Sequence, residues 1–204
     1  TIDIIKKDGK YREFDIKVEH YIVSTGIAQM IWGSPIARYV DGIWGCDFIE
    51  AINSGTQKKE ISEVVYTIDN TTKTRAIFEI NKGVGQRDGI EVNSKLSEEM
   101  RRVPFKNMIY IADGPSDIPA FSLINSKGGA TFAVYPPGND EAFRQVESLR
   151  KDGRVQMYGE ADYSENTRTY LWLKNTILDI ADRIVAEEKA KLTPYIKPQP
   201  RHLV

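Results

Sequence analysis

At 204 residues, with a net charge of −1, 41% hydrophobic and 28% charged side chains, the chain has the composition of an ordinary globular protein with enough length for a sizeable core. The near-neutral balance lacks the basic excess of a nucleic-acid binder, and no apolar run is long enough to cross a membrane, so neither partner is expected. Cys46 is the sole cysteine, which excludes an intrachain disulfide and favours a reducing compartment, with the cytoplasm as the default location.

Residues 1–16 are charged with scattered apolars, and Lys7-Asp8-Gly9-Lys10 reads as a tight turn, giving a hairpin or the tail of a preceding segment. The first strand is expected at 18–25. Helical spacing follows over 27–40, interrupted at Gly33-Ser34-Pro35, where Ser34 can cap a second turn beginning at Pro35. A strand is predicted at 43–51 and another, alternating, at 60–68, with a polar turn at 53–59 between them, so the pair resembles a β-hairpin flap. Cys46 falls in the first of these and is read as a packed thiol, since no positioned histidine accompanies it. Thr71-Thr72 is read as the cap of a helix that carries Lys73 in its first turn. A cation there opposes the helix dipole, a misfit that points to a functional lysine. The glycine-rich loop at 83–89 follows a helix rather than a strand, so it fits neither a P-loop nor a dinucleotide fingerprint.

The most informative stretch is Met108-Ile109-Tyr110-Ile111-Ala112-Asp113-Gly114-Pro115-Ser116-Asp117. Apolar and aromatic residues lead into Asp-Gly-x-Ser-Asp, and a helix is predicted at 118–126. This pattern describes a buried parallel strand that delivers two carboxylates to its C-terminal end, where open α/β sheets bind ligands. Two aspartates four residues apart, beside a glycine that lets the backbone turn, suit a hard cation such as Mg²⁺. They equally suit an Asp-Gly turn with Asp117 capping the next helix, and both can hold together. Beyond it come a short parallel strand at 130–135, an amphipathic helix at 140–151, an edge strand at 155–158 and a long helix at 166–191. The stripe of that last helix, Leu171, Ile177, Leu178, Ala181, Ile184 and Val185, is read as core contact. The proline-containing stretch at 193–204 is expected to be an extended or disordered tail.

The segment from Ile109 to Leu123, together with Tyr21-Ile22-Val23-Ser24-Thr25-Gly26 upstream, resembles the haloacid dehalogenase (HAD) superfamily of phosphohydrolases, in its phosphoserine phosphatase-like branch. The resemblance spans roughly residues 16 to 136. It implies a Rossmann-like three-layer α/β/α fold with a mostly parallel sheet and a β-hairpin insertion, with 18–192 as the core. It also implies that Asp113 holds Mg²⁺ directly, while Asp117 binds through water or orients its neighbours. Ser24 would hydrogen-bond the transferring phosphoryl group, with Thr25 and Gly26 beside it. Lys73 would neutralise charge on the phosphoryl group, with Lys106 and then Lys82 as competitors for that role. Gly114 and Ser116 would support the acidic loop, where Ala112 departs from the usual first glycine.

One part of the pattern is missing. The family's nucleophile is the first aspartate of an Asp-x-Asp motif, and no apolar strand followed by Asp-x-Asp occurs in these residues. The nearest approach, Ile68-Asp69-Asn70-Thr71, has a threonine at the second position and follows the Ser24 motif, the reverse of the family order. The chain also opens on Thr1 rather than Met. The expectation is therefore that the nucleophile strand and cap are missing, that 1–17 is a remnant of cap or linker, and that the chain alone is inactive. The parent would be an Mg²⁺-dependent phosphatase acting on a small phosphorylated metabolite. The alternative is a non-catalytic HAD-like module that binds a phosphorylated ligand or a protein. A sheet without that strand would expose an apolar edge, which makes a homo-oligomer an expected state.

Overall fold

A computed structural model describes residues 2–192. In chain order its elements are α1 (Ile2–Lys7), α2 (Gly9–Arg12), β1 (Tyr21–Ile27), α3 (Ala28–Trp32), β2 (Gly42–Ile52), β3 (Lys59–Tyr66), α4 (Thr72–Lys82), β4 (Ile109–Ala112), α5 (Ile118–Ser126), β5 (Ala130–Tyr135), α6 (Asp140–Lys151), β6 (Met157–Glu160) and α7 (Arg168–Leu192). The chain divides into two units, one built from the segments up to Val18 and from Tyr163 onward, the other from Glu19–Asp162. The tail expected at 193–204 lies outside the described residues. Among those described, no helix is long and apolar enough to cross a membrane.

The first unit is helical. On α7, Ile177, Leu178, Ala181 and Val185 form a stripe that packs on Ile5, Tyr11, Phe14, Ile16 and Val18. Leu171, at the head of the expected stripe, is exposed. Residues 2–12 form two short helices rather than a hairpin. Asp8, expected in a turn, accepts a hydrogen bond from the Lys10 N–H at 2.9 Å and caps α2. Neither helix is long enough to stand alone in water, so α7 supplies the surface that stabilises them. Lys10 Nζ and Tyr11 OH both donate to Asp182 Oδ1, each at 2.6 Å. The Tyr11 phenol is pushed up to about 12 by this bond and by burial, while Lys10 and Tyr11 hold the Asp182 carboxyl below its usual range.

The second unit is α/β and contains two three-stranded sheets, one mixed and one parallel. The parallel sheet runs β4-β5-β6. Its central strand, Ala-Thr-Phe-Ala-Val-Tyr, is buried over five of six residues, as a parallel strand covered on both faces must be. Phe121, Ala133, Val146, Leu149 and Val155 form one core and Ile77, Phe105, Ala120 and Ile124 a second, with Tyr110 packed against both. The mixed sheet runs β1-β2-β3, with β1 parallel to β2 and β2 antiparallel to β3. Helical spacing over 27–40 resolves into α3 and a 3₁₀ turn at Pro35–Tyr39, broken where Ser34-Pro35 was expected to break it.

α4 ties the two sheets together. Trp44 Nε1, on β2, donates to Glu79 Oε2 at 2.8 Å, while Phe78 meets Phe105 edge-on with centroids 5.3 Å apart. The helix ends at Gly83, whose φ of 78° is left-handed and whose N–H returns to Glu79 O at 2.8 Å. A Cβ at Gly83 would also come within 2.8 Å of Arg102 Cδ, so both backbone and packing require glycine.

Candidate functional site

The acidic loop leaves the C-terminal end of β4. Asp113 is exposed, whereas Asp117, after a 3₁₀ turn at Pro115–Asp117, is 2% exposed. Lys73 enters from the first turn of α4, is 6% exposed, and donates from Nζ to Asp117 Oδ1 at 2.8 Å. Tyr110 OH donates to the same oxygen at 2.6 Å, and Ser116 Oγ donates to Asp117 Oδ2 at 3.0 Å. Burial, the Asp117 hydrogen bond and the nearby carboxylates push the Tyr110 phenol up, so it stays protonated as a donor. A buried charge pair is tolerable only when its remaining lone pairs are satisfied, and here three donors converge on one carboxylate.

Local geometry explains how Lys73 is presented. The expected cap, Thr71-Thr72, is instead capped by Asp69, whose Oδ1 accepts from the N–H groups of Thr71 at 2.8 Å and Thr72 at 2.7 Å. The Thr72 hydroxyl donates to the same oxygen at 3.0 Å, and these bonds hold the Asp69 carboxyl below its usual range. A carboxylate at this helix N-terminus offsets the dipole that Lys73 opposes. Asp69 thus serves as a cap, and it was legible as an Asp-x-x-Thr spacing. Tyr110 was hidden inside an apolar strand pattern, with no sequence signal for a polar role.

Two expectations about the acidic loop are corrected. Gly114 is extended, with φ −166°, and a Cβ there would find its nearest neighbour at 3.7 Å. It is not glycine that lets the backbone turn, because the turn is carried by the residues after it. Asp117 stands at the start of α5 but makes no side-chain cap; its carboxylate is taken by Lys73, Tyr110 and Ser116.

Ser24 lies half-buried in the middle of β1, not at the strand end where it was expected, and its Oγ accepts from the Gly26 N–H at 3.0 Å. Thr25 and Gly26 are exposed. This part of β1 is tied towards α4 through Cys46, whose Sγ donates to Thr25 O at 3.2 Å and accepts from the Ile68 N–H at 3.5 Å, just ahead of Asp69. Cys46 is thus engaged as a bridge between strands. Of the three lysines, Lys73 stands at the acidic loop. Lys82 is at the far end of α4, donating to the carbonyls of Val92 and Ser94, and Lys106 precedes β4 at the opposite end of that strand.

The donor set fits part of an Mg²⁺ site. Mg²⁺ accepts one or two carboxylates and keeps several waters. Asp113 offers an open carboxylate, but Asp117 is already saturated, and among the described residues no cluster of three His, Cys, Asp or Glu could hold a metal.

No protein-family model matches the chain, and no solved structure matches it. It is similar to an uncharacterised protein of Borreliella burgdorferi, 39% identical over 187 residues that cover 86% of this chain. The chain spans 63% of that relative's length, and the relative's name states no activity.

Proposed function

We propose that these residues supply the phosphoryl-binding and metal-supporting half of a HAD-like phosphatase site, with the aspartate nucleophile carried by polypeptide outside them. The observation that carries this reading is the buried Lys73–Asp117 pair at the C-terminal end of β4, beside the open carboxylate of Asp113. Phosphoryl transfer requires neutralisation of the negative charge spread over the phosphoryl oxygens. Asp117, with Tyr110 and Ser116, fixes Lys73 so that its charge is delivered at one end of the sheet. Ser24 would contribute a hydroxyl from the middle of β1. Asp113 would hold Mg²⁺, which when bound offsets the repulsion between a carboxylate nucleophile and a phosphate dianion.

The strand edges lend further support. The start of β1 lies at the C-terminal end of α4, where Arg102 pairs with Glu19 and donates to Tyr21 OH at 3.2 Å. The end of β1 lies near the N-terminal end of α4, through Cys46 and Ile68. β4 likewise ends at Lys73, so β1 and β4 both run against α4 and parallel to one another. Among the described residues β1 pairs only with β2 and β4 only with β5, which leaves each with a free edge. A further parallel strand bearing the nucleophile would satisfy both edges.

The test is hydrolysis of p-nitrophenyl phosphate with Mg²⁺, by this chain and by a longer polypeptide that contains it, of a length like that of the Borreliella relative. Activity confined to the longer polypeptide, and lost on Asp113→Ala, is the expected result. Turnover by this chain alone would place a nucleophile within it and overturn the reading. Inactivity of both would favour the alternative of a non-catalytic module that binds a phosphorylated ligand or a protein.

A further inference from the structure

Among the described residues, the hairpin of β2 and β3 presents an apolar face that nothing covers. Its register sets Phe48 opposite Val64, Glu50 opposite Ile61 and Ile52 opposite Lys59, and these alternate rows share one face. Ile52, Ile61 and Val64 are 66%, 65% and 58% exposed. The substantial packing of β3 is on β2. A two-stranded ribbon without a covered face is marginal in water, so this surface favours a partner.

The free edge of β3 is a poor place for that partner. Ser62 and Val65 are extra residues in the ladder, between Ile61 and Glu63 and between Val64 and Tyr66, and such bulges twist an edge away from pairing. The face is better suited. Its charges are Lys59 and Glu50, 3.2 Å apart as an ion pair, so each copy offers both signs side by side within the apolar patch. A surface of that kind is complementary to itself under a two-fold axis, with no like charges forced together, whereas a strongly charged partner would find half of the pair repulsive.

We propose that this face is a homodimer interface, with Ile52, Ile61 and Val64 of one copy packed on the same residues of a second copy and the Lys59–Glu50 pairs joined into one four-charge network. The proposal is independent of the phosphatase reading. Sedimentation equilibrium of the full polypeptide is expected to give twice the chain mass. Lys59→Glu leaves two acids on each face and Glu50→Lys leaves two bases, so each should weaken self-association by about tenfold or more. An equimolar mixture of these two variants should restore the dimer as a heterodimer, and so should the double swap Lys59→Glu with Glu50→Lys. That rescue also shows that the single variants fold. A monomer at every accessible concentration would overturn the proposal. So would a dimer indifferent to all of these swaps, since it would have to form elsewhere, such as at the free edges of β1 and β4.

Discussion

The two sheets of the Glu19–Asp162 unit differ most in how they are covered. β4-β5-β6 is enclosed, with Phe132 and Ala133, neighbours whose side chains take opposite faces of the strand, both fully buried. β1-β2-β3 is enclosed at one end, under α4, and opens along the hairpin into exposed isoleucines and valines. The enclosed sheet can therefore hold a charge pair in a fixed geometry, because its surroundings exclude water and supply hydrogen bonds. The open sheet can hold no such pair, and what it offers is surface. On the readings proposed above, chemistry would belong to the first and association to the second.

If that contrast is right, the largest effect should follow from breaking the buried pair. Asp117→Ala leaves the Lys73 ammonium buried and unpaired, and is expected to cost about 3–5 kcal/mol in urea unfolding. Replacing both partners, Lys73→Met with Asp117→Leu, should recover most of that loss. A double variant as unstable as the single would mean that the charge itself is not the cause. In the same sheet, Phe132→Ala removes a fully buried ring and is expected to cost about 3–5 kcal/mol by the same measurement. A loss below 1 kcal/mol would show that the sheet is looser than its burial implies.

Smaller effects sharpen the comparison. Tyr110→Phe deletes one of three donors to Asp117 while keeping the ring against Phe121, and should cost about 1 kcal/mol. A change indistinguishable from zero would mean that Lys73 and Ser116 suffice to hold the carboxylate. On the open sheet, Ile61→Ser should alter the stability of the dissociated chain by no more than about 0.5 kcal/mol, since the side chain is largely in water already. A cost of several kcal/mol, measured by thermal unfolding at low concentration, would place Ile61 in a core and abolish the contrast between the sheets.

Legibility in the sequence followed the same division. β5, α5 and α6 were readable to the residue, because a continuous apolar run and amphipathic spacing are local signals. Asn139 accepts from the Ala142 N–H at 3.0 Å and caps α6. The break at Ser34-Pro35 and the β2–β3 hairpin were readable for the same reason. The N-terminal helices were not: Ile5 and Tyr11 are too few to show a period, and only α7 makes them a core. Of the site, Lys73 was flagged by its misfit with the helix dipole, and Asp113 and Asp117 by their spacing at a strand end.

What the amino-acid sequence determined alone was therefore the set of elements and the candidate residues, since capping, periodicity and strand burial act over a few neighbours along the chain. Tertiary structure decided how those residues are used. Lys73 and Asp117 are 44 positions apart, and only the packing of α4 against the acidic loop turns one aspartate into the anchor of a lysine while leaving the other open. Tyr110 looks like any core aromatic until folding sets its hydroxyl against that carboxylate. Long-range contacts carry no signature in local spacing, because they depend on which faces are left to be buried once every element has formed.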